Sequence, residues 1–220
     1  MIKTNKLEIG RQFIHFSGIV IVFFAYFIGK NITGAGALTI SIIFFILSFY
    51  MKIKHDIRKR LPVRIKKLEE LEDSFHNLIN SVERESTDIT YMGAILFFLA
   101  IGISLVIFPL NIGILSVIVL SVGDSFSTLI GVHWGRHKTS VNPKKSWEGT
   151  IAGLVASFIV CLIYLSYING SITVNFIIAI IAASVGMFME VMPFKINDNL
   201  LMPFSVGIVL WSLNLLGLVI

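Results

Sequence analysis

The sequence predicts an all-α, polytopic integral membrane helix bundle of about seven transmembrane helices with a cytoplasmic N-terminus. Three observations carry that prediction. Of 220 residues, 55% are hydrophobic and 14% charged, whereas a soluble domain uses roughly 25% charge to dress its surface. Seven apolar stretches have close to the ~20 residues a helix needs to span the hydrocarbon core. Finally, the Lys and Arg residues fall almost entirely in alternate connecting segments. The same composition excludes a disordered chain, a disulfide scaffold and a collagen-like repeat.

The stretches run approximately over 12–30, 32–51, 91–109, 112–132, 149–168, 172–190 and 201–220. Segments such as 19–28 and 40–49 are continuously apolar. The strands of a membrane barrel would alternate polar and apolar positions. With the N-terminus inside, the cytoplasmic segments are 1–11, 52–90, 133–148 and 191–200, and they hold 17 of the 18 Lys/Arg. Lys30 alone falls outside, and the positive-inside rule then orients the bundle. The polar opening MIKTNKLEIGRQ lacks a small-residue cleavage site and argues against a cleaved signal peptide. The single cysteine, Cys161, lies in an apolar run and reads as a small buried hydrophobe.

Residues 1–220 read as a single membrane-embedded domain, with a basic cytoplasmic loop and an amphipathic helix at about 52–88. Eight of the Lys/Arg lie within 52–67. No zinc spacing or helix-turn-helix accompanies them, so an anionic leaflet of the lipid bilayer is the expected partner and nucleic acid is not. From 66 to 85, Leu68, Leu71, Phe75, Leu78, Ile79 and Val82 form one apolar helical stripe. That helix would pack over the cytoplasmic mouth. The alternatives are a lipid-surface helix or self-association into a homo-oligomer.

Four acids stand apart from the loops. Asp124 interrupts an apolar span, where a carboxylate costs about 3 kcal/mol on insertion scales. Glu148 opens the fifth span, Glu190 closes the sixth, and Asp198 lies just before the seventh. On the expected topology all four reach one side of the membrane. Carboxylates gathered on one cavity repel unless a cation lies between them. Mg²⁺ commonly takes one or two carboxylates together with phosphate oxygens. Ion pairs with Lys144, Lys145 or Arg136 are a second reading, and an ion- or proton-coupled transport path a third.

Between the fourth and fifth spans the chain reads Gly131-Val132-His133-Trp134-Gly135-Arg136-His137-Lys138, then Asn142-Pro143-Lys144-Lys145-Ser146-Trp147-Glu148-Gly149-Thr150. Glycines permit close backbone approach, lysine is a compact counter-charge for polyphosphate, and arginine offers a fork of donors. A helix starting near Ser146 would also aim free amides at an anion. Plain positive-inside topology is the simpler account of such a loop. His133 and His137 are four apart, without the HExxH pattern of a zinc helix. Arg11 and His15 share a helical face near the start of span one. They could contact phosphate there, or serve only anchoring and packing.

These residues resemble the CTP-dependent membrane lipid kinases, the family of dolichol kinase, phytol kinase and the CTP-using diacylglycerol kinase, with a distant likeness to phosphatidate cytidylyltransferase. The resemblance rests on Glu8-x-x-Arg11-x-x-x-His15, on Ser121-Val122-Gly123-Asp124-Ser125, and on Gly131-x-x-x-Gly135-Arg136. It extends through Lys144-Lys145-Ser146-Trp147-Glu148-Gly149-Thr150 to Glu190 and Asp198-Asn199-x-x-x-Pro203. It implies CTP as phosphoryl donor, Mg²⁺ and a membrane lipid alcohol as acceptor. Asp124, Glu148 and Lys145 become the catalytic candidates, and Asp124, Glu148, Glu190 and Asp198 the metal candidates. Arg136, Lys144, Lys145, Arg11 and His15 would bind the nucleotide, in a pocket shaped by Gly123, Gly135 and Gly149. Gln12 departs from the basic residue usual after Arg11. The closing lysine-aspartate pair and histidine-glycine-glycine run typical of cytidylyltransferases are also missing, which favours kinase-type transfer. The expected setting is a prokaryotic cytoplasmic membrane with the active site at its cytoplasmic face. A cytidylyltransferase, a transporter and a non-catalytic scaffold are the alternatives.

Overall fold

The computed structural model describes residues 2–58, 91–168, 171–194 and 196–217. Side chains are described at 12 and from 14 in the first helix, and as far as 53 in the second. The helices are α1 (Ile2–Phe27), α2 (Lys30–Arg58), α3 (Met92–Ile107), α4 (Leu110–Ile118), α5 (Asp124–Trp134), α6 (Trp147–Ile168), α7 (Ile172–Val191) and α8 (Asp198–Leu215), with a π-helical turn, Val119–Gly123, joining α4 to α5. Among the described residues the only strand-type pairing is one isolated antiparallel bridge, Lys138 to Ser146. The expected amphipathic helix and most of the basic loop lie outside the described residues.

Local chemistry sets the breaks. Gly29 adopts φ 110° between α1 and α2, a backbone conformation that strongly favours glycine. Phe108 is forced extended (ψ 155°) ahead of Pro109, which ends α3 and starts α4. Met192 is extended ahead of Pro193 at the end of α7. Asn197 caps α8, its side chain accepting from Asn199 N at 3.0 Å.

Five segments are long and apolar enough to cross a membrane: Lys30–Ile53, Leu110–Trp134, Trp147–Ile168, Ile172–Val191 and Asp198–Leu215. Ile14–Phe27 and Met92–Ile107 are shorter apolar helices in the places of the first and third expected spans. The continuous rod α4–π–α5 is 89% buried over its apolar window, against 22% for α2 and α6. It forms the axis of the bundle, and α1, α3, α6, α7 and α8 all pack on it. α2 lies outside, chiefly against α3. The outer faces carry Phe23, Phe27, Ile43, Phe45, Ile159 and Ile163 exposed, as a multi-pass membrane protein facing lipid requires. Lys30 donates to Phe108 O at 2.7 Å and so satisfies a backbone carbonyl just beyond the end of α3.

Close helix contact depends on Gly149. A Cβ there would stand 2.5 Å from Ser127 O and 3.0 Å from Gly131 Cα, both backbone atoms that cannot swing aside. Gly149→Ala is therefore expected to force α6 away from α5 and destabilise the fold by about 1–3 kcal/mol. An unchanged melting temperature in detergent would contradict this close packing.

Candidate functional site

The end of α5, the start of α6, the end of α7 and the start of α8 meet at one end of the bundle, bridged by loop 135–146. This loop is a built element. Thr139 N donates to Lys145 O at 3.1 Å, Lys145 N to Asn142 O at 3.0 Å, and Trp147 N to His137 O at 2.9 Å. Thr139 Oγ1 donates to Asn142 O at 2.7 Å, and Lys144 N to Asn142 Oδ1 at 3.2 Å. Thr139 and Ser146 are buried beneath it.

That framework aims Lys145 inward. Its ammonium contacts Glu190 Oε1 directly and stands 3.6 Å from Asp198 Oδ2. Burial opposes the lysine charge, but Glu190, Asp124 and Asp198 together outweigh it and hold the Lys145 pKa above the ordinary lysine value. Lys145 therefore remains charged throughout the physiological range. Glu190 is buried and its Oε1 also accepts from Ser127 Oγ at 2.8 Å. Its Oε2 is buried and makes no hydrogen bond.

Asp124 opens α5 directly after the π turn, a helical irregularity common at functional sites. Its Oδ2 lies 3.1 Å from His15 Nδ1, both side chains 5% exposed. Phe97 packs on the imidazole with ring centroids 4.5 Å apart. His15 thus faces the carboxylate across the α1–α5 interface.

A cavity of about 830 Å³ opens beside these groups, within the ~300–1,000 Å³ typical of small-molecule sites. Lys138, Lys144, Lys145, Glu190 and Asp198 supply its charges, with Asn142, Asn197 and Ser127 among its polar walls. Polyphosphate would find three ammonium groups here. Gly131 and Gly135 line it as well.

The four acids do not converge equally. Asp124, Glu190 and Asp198 act on Lys145, while Glu148 faces the loop backbone. Its carboxylate accepts from Arg136 N at 3.2 Å, from His137 N at 3.0 Å and meets His137 Nδ1 at 2.7 Å. Among the described residues no group of three or more His, Cys, Asp or Glu could hold a metal alone. Arg136 is exposed and enters the network through its backbone. Gly123 and Gly149 lie at helix contacts, Gly123 near Met187. The Arg11 side chain lies outside the described residues. His133 and His137 are not a pair, since His133 bonds Leu129 O at 2.8 Å and His137 bonds Glu148. Ser127, Lys138 and Asn197 were not singled out from sequence. Ser127 follows Asp124 by nearly one helical turn, which is the signal that could have found it.

Fold and site together define a multi-pass membrane protein with a polar, lysine-rich cavity at one end of its helix bundle. The chain belongs to the cytidylyltransferase family, which matches residues 2–195. It is 32% identical over 99 residues to the phytol kinase of Synechocystis, covering 44% of this chain and 42% of that one. It is 28% identical over 90 residues to CTP-dependent diacylglycerol kinase 1 of Schizosaccharomyces pombe, covering 41% of each. It is 42% identical over 53 residues to the dolichol kinase of Saccharomyces cerevisiae, covering 24% of this chain and 10% of that one. The aligned region spans less than half the length of these relatives. No solved structure matches.

Proposed function

We propose that this protein transfers the γ-phosphoryl group of CTP to a membrane lipid alcohol of dolichol, polyprenol or phytol type, releasing CDP and a lipid monophosphate. The observation that carries the reading is Lys145, held between Glu190 and Asp198 in a cavity shared with Lys138 and Lys144. The names of the relatives, which are kinases of phytol, diacylglycerol and dolichol, support it. The distribution of Lys and Arg supports a seven-span topology with N-terminus and cavity on the cytoplasmic side. A prokaryotic cytoplasmic membrane is the setting we favour.

The donor set suits Mg²⁺, because Glu190 Oε2 is a buried carboxylate oxygen without a hydrogen bond and Asp198 opens into the cavity. Glu190 and Asp198 would hold the ion, with Asp124 behind them, and when bound it would neutralise charge on the transferring phosphoryl group. Lys138, Lys144 and Lys145 bind and orient the triphosphate. The acceptor oxygen bonds to the γ-phosphorus as the bond to the β–γ bridging oxygen breaks, and CDP leaves. Asp124 takes the hydroxyl proton, and His15 holds that carboxylate in place. Most of the gain comes from positioning and electrostatics.

Glu148 serves the nucleotide indirectly, by pinning the backbone of Arg136 and His137. Glu148→Ala is expected to raise KM for CTP roughly tenfold while leaving kcat within about threefold. A fall in kcat with KM unchanged would instead make Glu148 a reacting group.

The reading is tested by incubating purified protein with CTP, Mg²⁺, a panel of lipid alcohols and phosphatidic acid, and identifying products by mass spectrometry. CDP with a phosphorylated alcohol is expected. Pyrophosphate with a CDP-lipid would reassign the protein to cytidylyl transfer. Ion or lipid binding without turnover would favour transport.

A further inference from the structure

Three buried side chains beside the His15–Asp124 pair leave polar atoms unmet. Gln12, one turn before His15 on α1, is 1% exposed, and neither its Nε2 nor its Oε1 makes a hydrogen bond. Ser121 and Ser125, before and after Asp124, are fully buried, and neither Oγ makes one. Two other buried serines, Ser116 and Ser157, satisfy themselves one turn back along their own helix, although buried Ser104 does not. Ser116 donates to Ile112 O at 2.9 Å and Ser157 to Gly153 O at 2.7 Å. The π turn at 119–123 interrupts that regular register beside Ser121 and Ser125. Native interiors leave few polar atoms unpaired, and those that remain need an explanation.

The α1 face that carries Gln12 meets the rod at Asp124 and Ser121, and Ser125 adjoins Asp124 in the rod. Gln12, His15 and Gly18 recur every three residues and share a face of α1. His15 meets Asp124 at 3.1 Å, and a Cβ on Gly18 would overlap Ser121 Oγ. α1 therefore runs antiparallel to the central rod, and Gln12 extends the line toward the end of the bundle that carries Lys145. Asp124 stands at the junction: it pairs with His15 on this side and acts on Lys145 on the other.

An amide presents both donors and an acceptor, and a serine hydroxyl presents one donor and two acceptor lone pairs. Together they match an alcohol, which donates one hydrogen bond and accepts others. A phosphate monoester placed here would meet the Asp124 carboxylate, a like charge in a poorly screened interior. We infer that Gln12 and Ser125, with the His15–Asp124 pair, form a binding site for the uncharged hydroxyl end of the lipid acceptor between α1 and the central rod, and that the Asp124 charge favours an alcohol there over a phosphorylated lipid. The site deepens the kinase reading and rests on it for turnover, but its binding can be measured independently.

The experiment uses the full chain in lipid nanodiscs, with geranylgeraniol as probe and both the hydrocarbon lacking its hydroxyl and phosphatidic acid as controls. Geranylgeraniol, unlike the hydrocarbon, is expected to raise the melting temperature of the unmodified protein by roughly 4 °C. Gln12→Leu removes an unmet buried amide at similar volume, so without ligand its melting temperature is expected to equal or exceed that of the unmodified protein. Its shift with geranylgeraniol falls by at least about half, and Ser125→Ala behaves alike. Where turnover is measured, both variants raise KM for the alcohol about tenfold and leave KM for CTP within about twofold.

A lower ligand-free melting temperature in Gln12→Leu would make the amide structural and overturn the site. So would a full geranylgeraniol shift in both variants, no alcohol-specific shift in the unmodified protein, or a shift with phosphatidic acid alone. Alcohol binding with the expected pattern but no phosphorylation sinks the kinase reading and leaves the site standing. Phosphorylation indifferent to Gln12 and Ser125 does the reverse.

Discussion

Lys145→Met is expected to abolish CTP turnover and to destabilise the folded protein by about 3 kcal/mol. The physical reason is Glu190, buried to 2% exposure, whose charge is met by Lys145 within the bundle. Removing the cation leaves that carboxylate uncompensated. The lower end of the usual penalty applies, because Lys145 keeps 19% of its side chain exposed and water can partly reach the gap. Adding Glu190→Gln removes the stranded charge and still offers Ser127 an oxygen to donate to. The double variant should thus recover most of the lost stability and none of the activity. Unfolding in denaturant reads the first quantity and CDP release the second. If the double variant is as unstable as Lys145→Met, the pair is not what holds this end of the bundle together. If Lys145→Met turns over normally, the lysine does not act on phosphate.

Asp124→Asn tests the opposite partition, a large loss of rate with little loss of structure. The amide has the shape of the carboxylate and can still meet His15 Nδ1, 3.1 Å away in the unmodified protein. It cannot take a proton. General-base catalysis contributes about 10²–10⁴-fold, so single-turnover phosphorylation should slow by a factor in that range. Nucleotide binding, which the proposed function gives to Lys138, Lys144 and Lys145, should change little. A rate within about tenfold of the unmodified protein would remove Asp124 as the base. His15→Gln gives a companion measurement, since a positioning residue should slow transfer less than the carboxylate it holds.

Several elements could be read directly from the chain. Each apolar helix shows in local hydropathy, and the Phe108-Pro109 and Met192-Pro193 breaks show because proline restricts the residue before it. Asp124, Glu148, Glu190 and Asp198 stood out as charges in or beside apolar runs, and Lys145 as part of a basic loop. Their relationships were less legible. Glu148 reads like the other acids by position, yet it faces backbone amides of the loop. Its orientation follows from where loop 135–146 closes over the start of α6, a contact between residues 11 and 12 apart. Lys145 was expected to bind phosphate while a metal gathered the acids, with ion pairs to Lys144, Lys145 or Arg136 as the second reading. In the folded chain the lysine itself stands between two of them. Ser127 and Gln12 carry no charge and so gave hydropathy little to register.

The solvent this protein folds in, the helical class of its spans and the residue types available for chemistry are all legible in the chain. Those properties reside in single segments, because a backbone in hydrocarbon must bond to itself and a charge there must be compensated. Which span lies at the centre and which side chains meet depend on packing between segments. Lipid tails and a protein core are equally apolar, so hydropathy cannot distinguish the enclosed rod Leu110–Trp134 from the peripheral helix Trp147–Ile168. Only packing does that, by enclosing Asp124 with His15 on one side and bringing Lys145, Glu190 and Asp198 together on the other.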